Sequence, residues 1–163
     1  MTSCGMTLSG MTLFSGPLPP PQFNMAEYVL GRAARETPDK VALVVIADVD
    51  AAAPAETWTY RDLDRAVLRI AAALKVRGLE RGDRLLIRID NTSAYALLFF
   101  GAIAAGLVPI PASNQLTDSE AEFLVSNSGA RCVVLPDEAA ETPATSAYLT
   151  LRASDIAASC ERT

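Results

Sequence analysis

Two glycines enclose a gap of four residues in this sequence, and phosphate-binding loops use the same spacing. The segment is Gly101-Ala-Ile-Ala-Ala-Gly106. A phosphate-binding loop continues with Lys and then Ser or Thr, which bind phosphate and magnesium, whereas Leu107 and Val108 follow here. Small residues also let a helix pack closely against a neighbour. We therefore predict a packing role for this segment.

The carboxylates form close pairs along the chain, but the pairs do not define an acid/base site. Asp62 with Asp64, Asp118 with Glu120, and Glu120 with Glu122 are each two residues apart. On a helix this spacing points the side chains in different directions, so no pair shares one reacting atom. The chain has no histidine, which excludes a Ser-His-Asp triad, a His zinc site and a His general base within it. We predict no catalytic, cofactor-binding or metal-binding residue in this chain.

Three further features each have a functional and a structural interpretation. Asn91-Thr-Ser93 fits the N-glycosylation pattern, which needs a secretory route, and we interpret it as the start of a helix. Cys132 begins an apolar run, where a thiol is usually an inert small apolar group. Trp58 could stack on a ligand, but an aromatic residue just before a helix more often fills the junction between sheet and helix. We favour that structural role.

Composition limits the class of protein. The chain has 163 residues, half of them apolar, without an uncharged apolar run long enough to cross a bilayer. Its net charge of −5 and its scattered Lys and Arg argue against a nucleic-acid partner. Cys4, Cys132 and Cys160 are odd in number and widely spaced, which argues against disulfides and zinc. We expect a soluble protein of the reducing cytoplasm.

Residues 1–22 differ from the rest of the chain. They contain a short imperfect repeat that begins at Met1, Met6 and Met11, followed by a proline cluster. Such a segment, rich in Ser, Thr, Gly and Pro, cannot bury a core, so we expect a disordered leader. No Lys or Arg precedes Arg32, which argues against a secretory signal. Translation starting naturally at Met11 or Met25 would leave the leader without a role.

From Phe23 to Thr163 the sequence becomes periodic. Asn24 is placed to cap a helix with an apolar face of Met25, Tyr28, Val29 and Ala33, ending by Thr37-Pro38. The apolar run 41–47 predicts a strand covered on both faces, and 56–59 a short strand. A helix over 60–77 follows, capped by Thr59 and stopped by Gly78. Its apolar stripe is Leu63, Val67, Ile70 and Leu74.

The second half continues the alternation of strands and helices. Residues 84–89 predict a strand with Leu85, Ile87 and Ile89 on one face. Asn91 or Thr92 begins an almost wholly apolar helix through Ala105 that should be buried on most sides. A Thr117/Glu120 capping box begins another helix, and 132–135 predict a buried strand. Weaker signals at 148–151 and 154–158 predict a short strand and a helical turn. The fold class is α/β, with a parallel sheet of βαβ units and flanking helices.

Several short motifs in a fixed order resemble the opening part of the adenylate-forming superfamily, and in particular the medium-chain or aryl AMP-forming acyl-CoA synthetases. The resemblance covers about Phe23 to Leu135. It rests on Trp58-Thr-Tyr-Arg-Asp-Leu63, Gly78, Gly82-Asp-Arg84, Asn91, Gly101-Ala-Ile-Ala-Ala-Gly106-Leu-Val-Pro-Ile-Pro111, Leu116-Thr-Asp-Ser-Glu120, Ser128-Gly-Ala130 and Val133-Val134. Residues 23–163 are then expected to form a partial, incomplete N-terminal subdomain.

The resemblance implies a two-step ligase. A carboxylate attacks the α-phosphate of ATP to give an acyl-adenylate, and CoA then displaces AMP to give a thioester. The family's phosphate loop, which ends in Pro-Lys-Gly, and its C-terminal domain with the catalytic Lys have no match in this sequence, and no residue here matches a catalytic position. ATP, Mg²⁺ and CoA are thus expected for the complete enzyme and not for this chain alone.

The expected function is therefore that of an N-terminal fragment of an AMP-dependent acyl-CoA synthetase, inactive by itself. Such a fragment should expose an apolar patch and self-associate. The alternative is a free-standing, non-catalytic α/β module that binds a protein partner or complements a split synthetase. Neither the acyl substrate nor the oligomeric state follows from the sequence.

Overall fold

The computed structural model describes residues 7–8, 11–12, 20–48, 50, 53–139 and 148–160. Its first elements are two short strands, Thr7–Leu8 (β1) and Met11–Thr12 (β2), which pair antiparallel. The rest of the predicted leader, up to residue 19, lies outside the described residues. A disordered leader over 1–22 therefore stays a prediction.

The remaining elements alternate as the periodicity predicts. A π-helical segment, Glu27–Gly31, continues into the helix α1, Arg32–Glu36. The later helices are Tyr60–Val76 (α2), Ser93–Ala105 (α3), Asp118–Ser128 (α4) and Ala153–Cys160 (α5). The later strands are Val41–Val45 (β3), Glu56–Thr59 (β4), Arg84–Ile87 (β5), Val108–Pro111 (β6), Cys132–Leu135 (β7) and Leu149–Arg152 (β8).

Four of these strands form one parallel sheet in the order β6-β5-β7-β8. In the central strand β5, Arg84 is opposite Val108 of β6, and Leu85 is opposite Cys132 of β7. The crossovers from β5 to β6 and from β6 to β7 carry α3 and α4, so these are the predicted βαβ units. The predicted α/β class with a parallel sheet is confirmed.

Helices cover both faces of this sheet. Leu85 and Ile87 of β5 belong to a large apolar cluster with α2, α3 and α5, whereas Leu86 belongs to a smaller cluster that Leu124 of α4 packs against. All three β5 side chains are fully buried. This alternation confirms the strand predicted over 84–89, although it ends at Ile87, because successive side chains of a strand point to opposite faces.

The helix ends also follow their sequence signals. Thr59 Oγ1 accepts a hydrogen bond from the Asp62 amide at 3.2 Å, and all four residues of the α2 stripe are buried. Thr117 and Glu120 form the reciprocal capping box at the start of α4. No residue of α3 is exposed, which confirms that this apolar helix is buried on most sides. Among the described residues, no helix combines the length and hydropathy needed to span a membrane.

The strand predicted over 41–47 differs from the structure in its environment. β3 pairs antiparallel with β4 in a separate two-stranded sheet, not in the parallel sheet. Val41, Val44 and Ile46 expose 49%, 46% and 59% of their surface. The prediction of a strand covered on both faces is wrong. A continuous apolar run predicts extended structure, but its pairing partner and covering layers depend on distant residues.

The first helix buries a different face from the one predicted. Ala26 and Leu30 are buried, whereas Met25, Tyr28 and Val29 are exposed. Asn24 Oδ1 accepts from the amides of Ala26 and Glu27, so the predicted cap is confirmed. The amide nitrogen of the same side chain donates to Ile103 O at 2.7 Å, which fixes the start of this helix against the end of α3. The π-helical segment that follows buries Leu30 and Gly31.

Candidate ligand crevice at the carboxyl edge of the sheet

Two neighbouring strands of the parallel sheet send their chains to opposite faces. The loop after β5 leads to α3 on one face, and the loop after β6 leads to α4 on the other. The two loops separate at the carboxyl ends of adjacent strands and leave a crevice between them. Open α/β sheets bind ligands at such a topological switch point.

The crevice has a volume of about 470 Å³. Its walls come from the end of β5, the first turn of α3 and the segment that follows β6. The lining residues are Ile89, Asn91, Tyr95, Pro111, Ala112, Ser113 and Asn114. Ile89 is buried and belongs to the large apolar cluster, whereas Asn91, Ser113 and Asn114 are exposed to the opening. Loop residues of this kind carry no spacing signal, so this set cannot be predicted from the sequence.

Side-chain contacts hold the two loops in place. The Asn114 amide donates to the Asp90 carboxylate, which links the loop after β6 to the loop after β5. On the opposite face Arg88 Nη1 lies 3.0 Å from Asp118 Oδ1, and Nη2 donates to Leu116 O. The Arg88 side chain is only 14% exposed, so it ties the end of β5 to the start of α4 from within the fold. The crevice is therefore held by fixed elements.

The same edge continues past β7 and β8. Arg152 Nη1 donates to Pro136 O at 3.0 Å and to Ala139 O at 2.9 Å. The Ser154 hydroxyl donates to Asp137 Oδ1 at 2.7 Å, and this hydrogen bond is the main cause that lowers the pKa of Asp137. These contacts fix the loop after β7 against the start of α5.

Charge is distributed unequally between the two edges of the sheet. The carboxyl edge carries more acids than bases: Asp90, Asp118, Glu120, Asp137, Glu138 and Asp155 against Arg88 and Arg152. At the amino edge, arginines face helix ends. Arg77 Nη1 donates to Ala73 O of α2, while Arg84 Nε and Nη2 donate to Ser128 O and Gly129 O at the end of α4. Because helix carboxyl ends carry partial negative charge, these arginines stabilise the fold.

The glycines of the 101–106 segment have the predicted packing role. Gly101 lies where α3 meets α2, and an ideal Cβ there would be 2.5 Å from Ile70 Cγ2. Gly106 ends α3 with φ of 84°, a left-handed conformation that glycine adopts without strain. The segment is helical, so it does not form a phosphate loop.

Three of the paired carboxylates have partners of their own. Asp62 accepts from the Thr59 hydroxyl, Asp118 pairs with Arg88, and Glu120 closes the capping box. Burial raises the pKa of Asp64, and the nearby charge of Glu27 adds a smaller rise. The charge of Arg35 acts in the opposite direction and lowers this pKa. Within the described ranges, no three His, Cys, Asp or Glu residues are grouped to hold a metal ion.

Three other residues with a possible functional interpretation, Thr92, Trp58 and Cys132, lie at helix starts or in the core. Thr92 is the residue that caps α3, although its side chain makes no capping hydrogen bond. The Trp58 ring packs against the large apolar cluster, and its Nε1 donates to Glu56 Oε2 at 2.8 Å. Cys132 is fully buried. Burial raises the pKa of its thiol to about 12, although the positive charge of Arg77 lowers this pKa.

We expect Cys132 to be chemically silent in the folded protein. In a Cys4→Ser/Cys160→Ser variant, the remaining thiol should react with a disulfide reagent at pH 8 on the order of a thousandfold more slowly than in urea, because the thiolate is the nucleophile. Absorbance of the released thiol follows the reaction. Rapid labelling of the native protein would contradict the buried, inert position.

Comparison with known proteins gives the family. The AMP-binding enzyme family matches residues 30–160, and the chain belongs to this family. It is 31% identical over 128 residues to 4-coumarate–CoA ligase 2 of Oryza sativa subsp. japonica, covering 76% of this chain and 21% of that protein. It is 35% identical over 85 residues to benzoate–CoA ligase of Thauera aromatica, covering 52% of this chain and 16% of that protein.

Solved structures show the same fold. The N-terminal subdomain of Klebsiella oxytoca NpsA, in complex with anthranilyl-AMSN, matches with a TM-score of 0.71 and 21% identity, over 86% of this chain and 34% of that one. O-succinylbenzoate coenzyme A synthetase (MenE) from Bacillus subtilis, in complex with AMP, matches with a TM-score of 0.67 and 19% identity, over 78% of this chain and 31% of that one. The fold is that of part of the N-terminal subdomain of adenylate-forming enzymes. The chain spans about a fifth or less of the curated relatives described above.

Proposed function

We propose that this chain is part of an ATP-dependent acyl-CoA synthetase. In that reaction a carboxylate is adenylated by ATP, and the acyl group is then transferred to the CoA thiol. The family match over residues 30–160 carries the proposal. It is supported by relatives whose names describe CoA ligases of aromatic acids and fatty acids, among them the long-chain-fatty-acid–CoA ligase FadD13 of Mycobacterium tuberculosis at 32% identity over 76 residues.

We further propose that the chain does not catalyse adenylation by itself. Several of its described carboxylates serve as helix caps, ion-pair partners or acceptors for other side chains, and the chain has no histidine. The carboxyl edge is acidic, and its two arginines are engaged with Asp118 and with backbone carbonyls. Phosphates need cations or converging backbone N–H groups, and Mg²⁺ needs grouped oxygen ligands. The described residues do not fit ATP or Mg²⁺, so we derive no reaction step on them.

The role left for this region is structural. The four-stranded sheet with α2 and α3 is a rigid scaffold whose carboxyl edge would face the parts of the ligase that hold nucleotide and acid. We expect the groups that bind phosphate and complete catalysis to come from the regions of the relatives that this chain does not span. The complete enzyme would act in the cytoplasm on a carboxylic acid, ATP, Mg²⁺ and CoA.

Exchange of labelled pyrophosphate into ATP tests the proposed inactivity. The purified chain, incubated with ATP, Mg²⁺ and aromatic or fatty acids, should give no more exchange than a reaction without protein. Any exchange that depends on an added carboxylate would contradict the proposal.

Reading the DNA beyond the Thr163 codon tests the ligase assignment separately. A continuing, shifted or neighbouring frame should encode a Ser/Thr/Gly-rich loop that ends in Pro-Lys-Gly. The joined or co-expressed product should then form an acyl-CoA in the presence of ATP. Failure of that product to make acyl-adenylate or thioester from any acid tested would overturn the assignment.

A second candidate is a non-catalytic module that a protein partner completes. Exposed apolar side chains on and just after β3, namely Val41, Val44 and Ile46, favour it, since a contiguous exposed apolar patch is typical of a surface that another chain covers. Light scattering should show concentration-dependent association that the double substitution Val44→Thr/Ile46→Thr reduces. A monomer at all concentrations would count against this candidate.

A further inference from the structure

The crevice between β5 and β6 combines apolar walls with neutral hydrogen-bonding groups. Ile89, Pro111 and Ala112 supply the apolar surface, and the Tyr95 ring packs against the large apolar cluster at the first turn of α3. The polar groups are the side chains of Asn91, Ser113 and Asn114. Small-molecule sites have this composition, and their volumes of roughly 300–1,000 Å³ include that of this crevice.

The polar groups still have hydrogen-bonding capacity. Asn114 uses one amide hydrogen on Asp90, and Ser113 Oγ accepts from the Gln115 amide at 3.2 Å, so its own hydrogen stays available. Within the described part of the chain, the exposed Asn91 carboxamide has no hydrogen bond to another protein group. A carboxamide offers two donors and one acceptor oxygen, and another carboxamide matches both its donors and its acceptor.

Charge argues against an anionic ligand. Neither Lys nor Arg lines the crevice, and the Asp90 carboxylate is held at its rim by Asn114. The start of α3 contributes partial positive charge, equivalent to about half an elementary charge, which is less than the full negative charge of Asp90. A neutral ligand avoids this repulsion and the cost of removing a carboxylate from water.

We propose that this crevice binds a neutral ligand that presents a carboxamide on a flat apolar body. The carboxamide pairs with Asn91 and Ser113, and the apolar body lies against Ile89 and Pro111. The inference rests on the lining residues and does not depend on the ligase proposal. It concerns binding by the folded chain, so it can fail or succeed whether or not the chain takes part in adenylation.

Benzamide and benzoate are matched probes, because they share a ring and differ in the charge of one group. Nitrogen-labelled full-length chain is titrated with each to roughly 10 mM while amide chemical shifts are recorded. Benzamide should shift the amides of residues 89–95 and 112–114 with saturation. Benzoate should bind at least about threefold more weakly.

Asn91→Ala tests the assigned contact, and Asn127→Ala is its control, since Asn127 is an exposed residue on α4 that undergoes the same chemical change. Asn91→Ala should weaken benzamide binding about three- to tenfold, while Asn127→Ala leaves it unchanged. The proposal would be overturned if benzoate bound as tightly as benzamide, or if Asn91→Ala bound benzamide as tightly as the unchanged chain. It would also be overturned if the shifts were confined to another surface or did not saturate.

Discussion

Replacing Gly101 by valine is expected to lower the free energy of unfolding by about 2–3 kcal/mol. Gly101 is buried in α3, and an ideal Cβ at this position would lie 2.5 Å from Cγ2 and 2.9 Å from Cβ of Ile70 on α2. Real Cβ atoms do not approach other carbons so closely, so α2 and α3 must move apart. Ile70 is fully buried in the large apolar cluster and cannot turn away. Urea unfolding followed by circular dichroism measures the loss.

Gly101→Ala separates the steric effect from helix propensity. Alanine favours a helix over glycine by about 1 kcal/mol, so stabilisation of that size is expected where space exists. Here the clash should exceed that gain, and Gly101→Ala should be destabilising by about 1 kcal/mol. Combining it with Ile70→Ala should cost less than the sum of the two single changes, because the smaller side chain makes room. Additive losses, or a stabilised Gly101→Ala, would show that the helices do not touch there.

Helices and strands whose start, end and apolar pattern are all marked by nearby residues could be predicted from the sequence. α2 has a cap at Thr59, a stripe of apolar residues at helical spacing and a stop at Gly78, and all of these are local. The strand over 84–89 is predicted because Leu85, Ile87 and Ile89, each two residues apart, share one face. In both elements local chemistry and tertiary packing favour the same answer.

The errors occur where the answer depends on distant residues. The apolar run that forms β3 is compatible with two environments: a central strand of a parallel sheet, or a half-exposed strand paired with β4. The first helix has apolar residues on more than one side, and it is held against α3 by the hydrogen bond from Asn24 to Ile103 O. Neither the partner strand nor that contact can be seen in a local window of sequence.

The candidate crevice was missed for a related reason. Asn91 was interpreted only as the start of a helix, and Ser113 and Asn114 follow a strand without forming a motif. Their proximity arises because β5 and β6 are neighbours in a parallel sheet, which places their following loops together. The sheet was predicted, but the order β6-β5-β7-β8, which decides which loops meet, was not.

Leu98→Ala is expected to lower the free energy of unfolding by about 3–4 kcal/mol. The sequence of α3 is apolar almost all round, so periodicity does not show which of its side chains matter most. The structure shows which large side chain of α3 is most buried. Leu98 is fully buried in the large apolar cluster, whereas its neighbours Phe99 and Phe100 are only half-buried. Alanine there removes apolar contacts and leaves a cavity that two helices and a sheet cannot close.

Leu68→Ala is the matched control, since Leu68 is 54% exposed on the outer side of α2. The same atoms are removed, but little burial is lost, so the cost should stay under about 1 kcal/mol. Urea midpoints at constant m-value compare the two variants, because a changed m-value would mean that the unfolding transition itself differs. Equal losses for Leu98→Ala and Leu68→Ala would mean that α3 is not packed between α2 and the sheet, and the scaffold proposed for the carboxyl edge would lose its support.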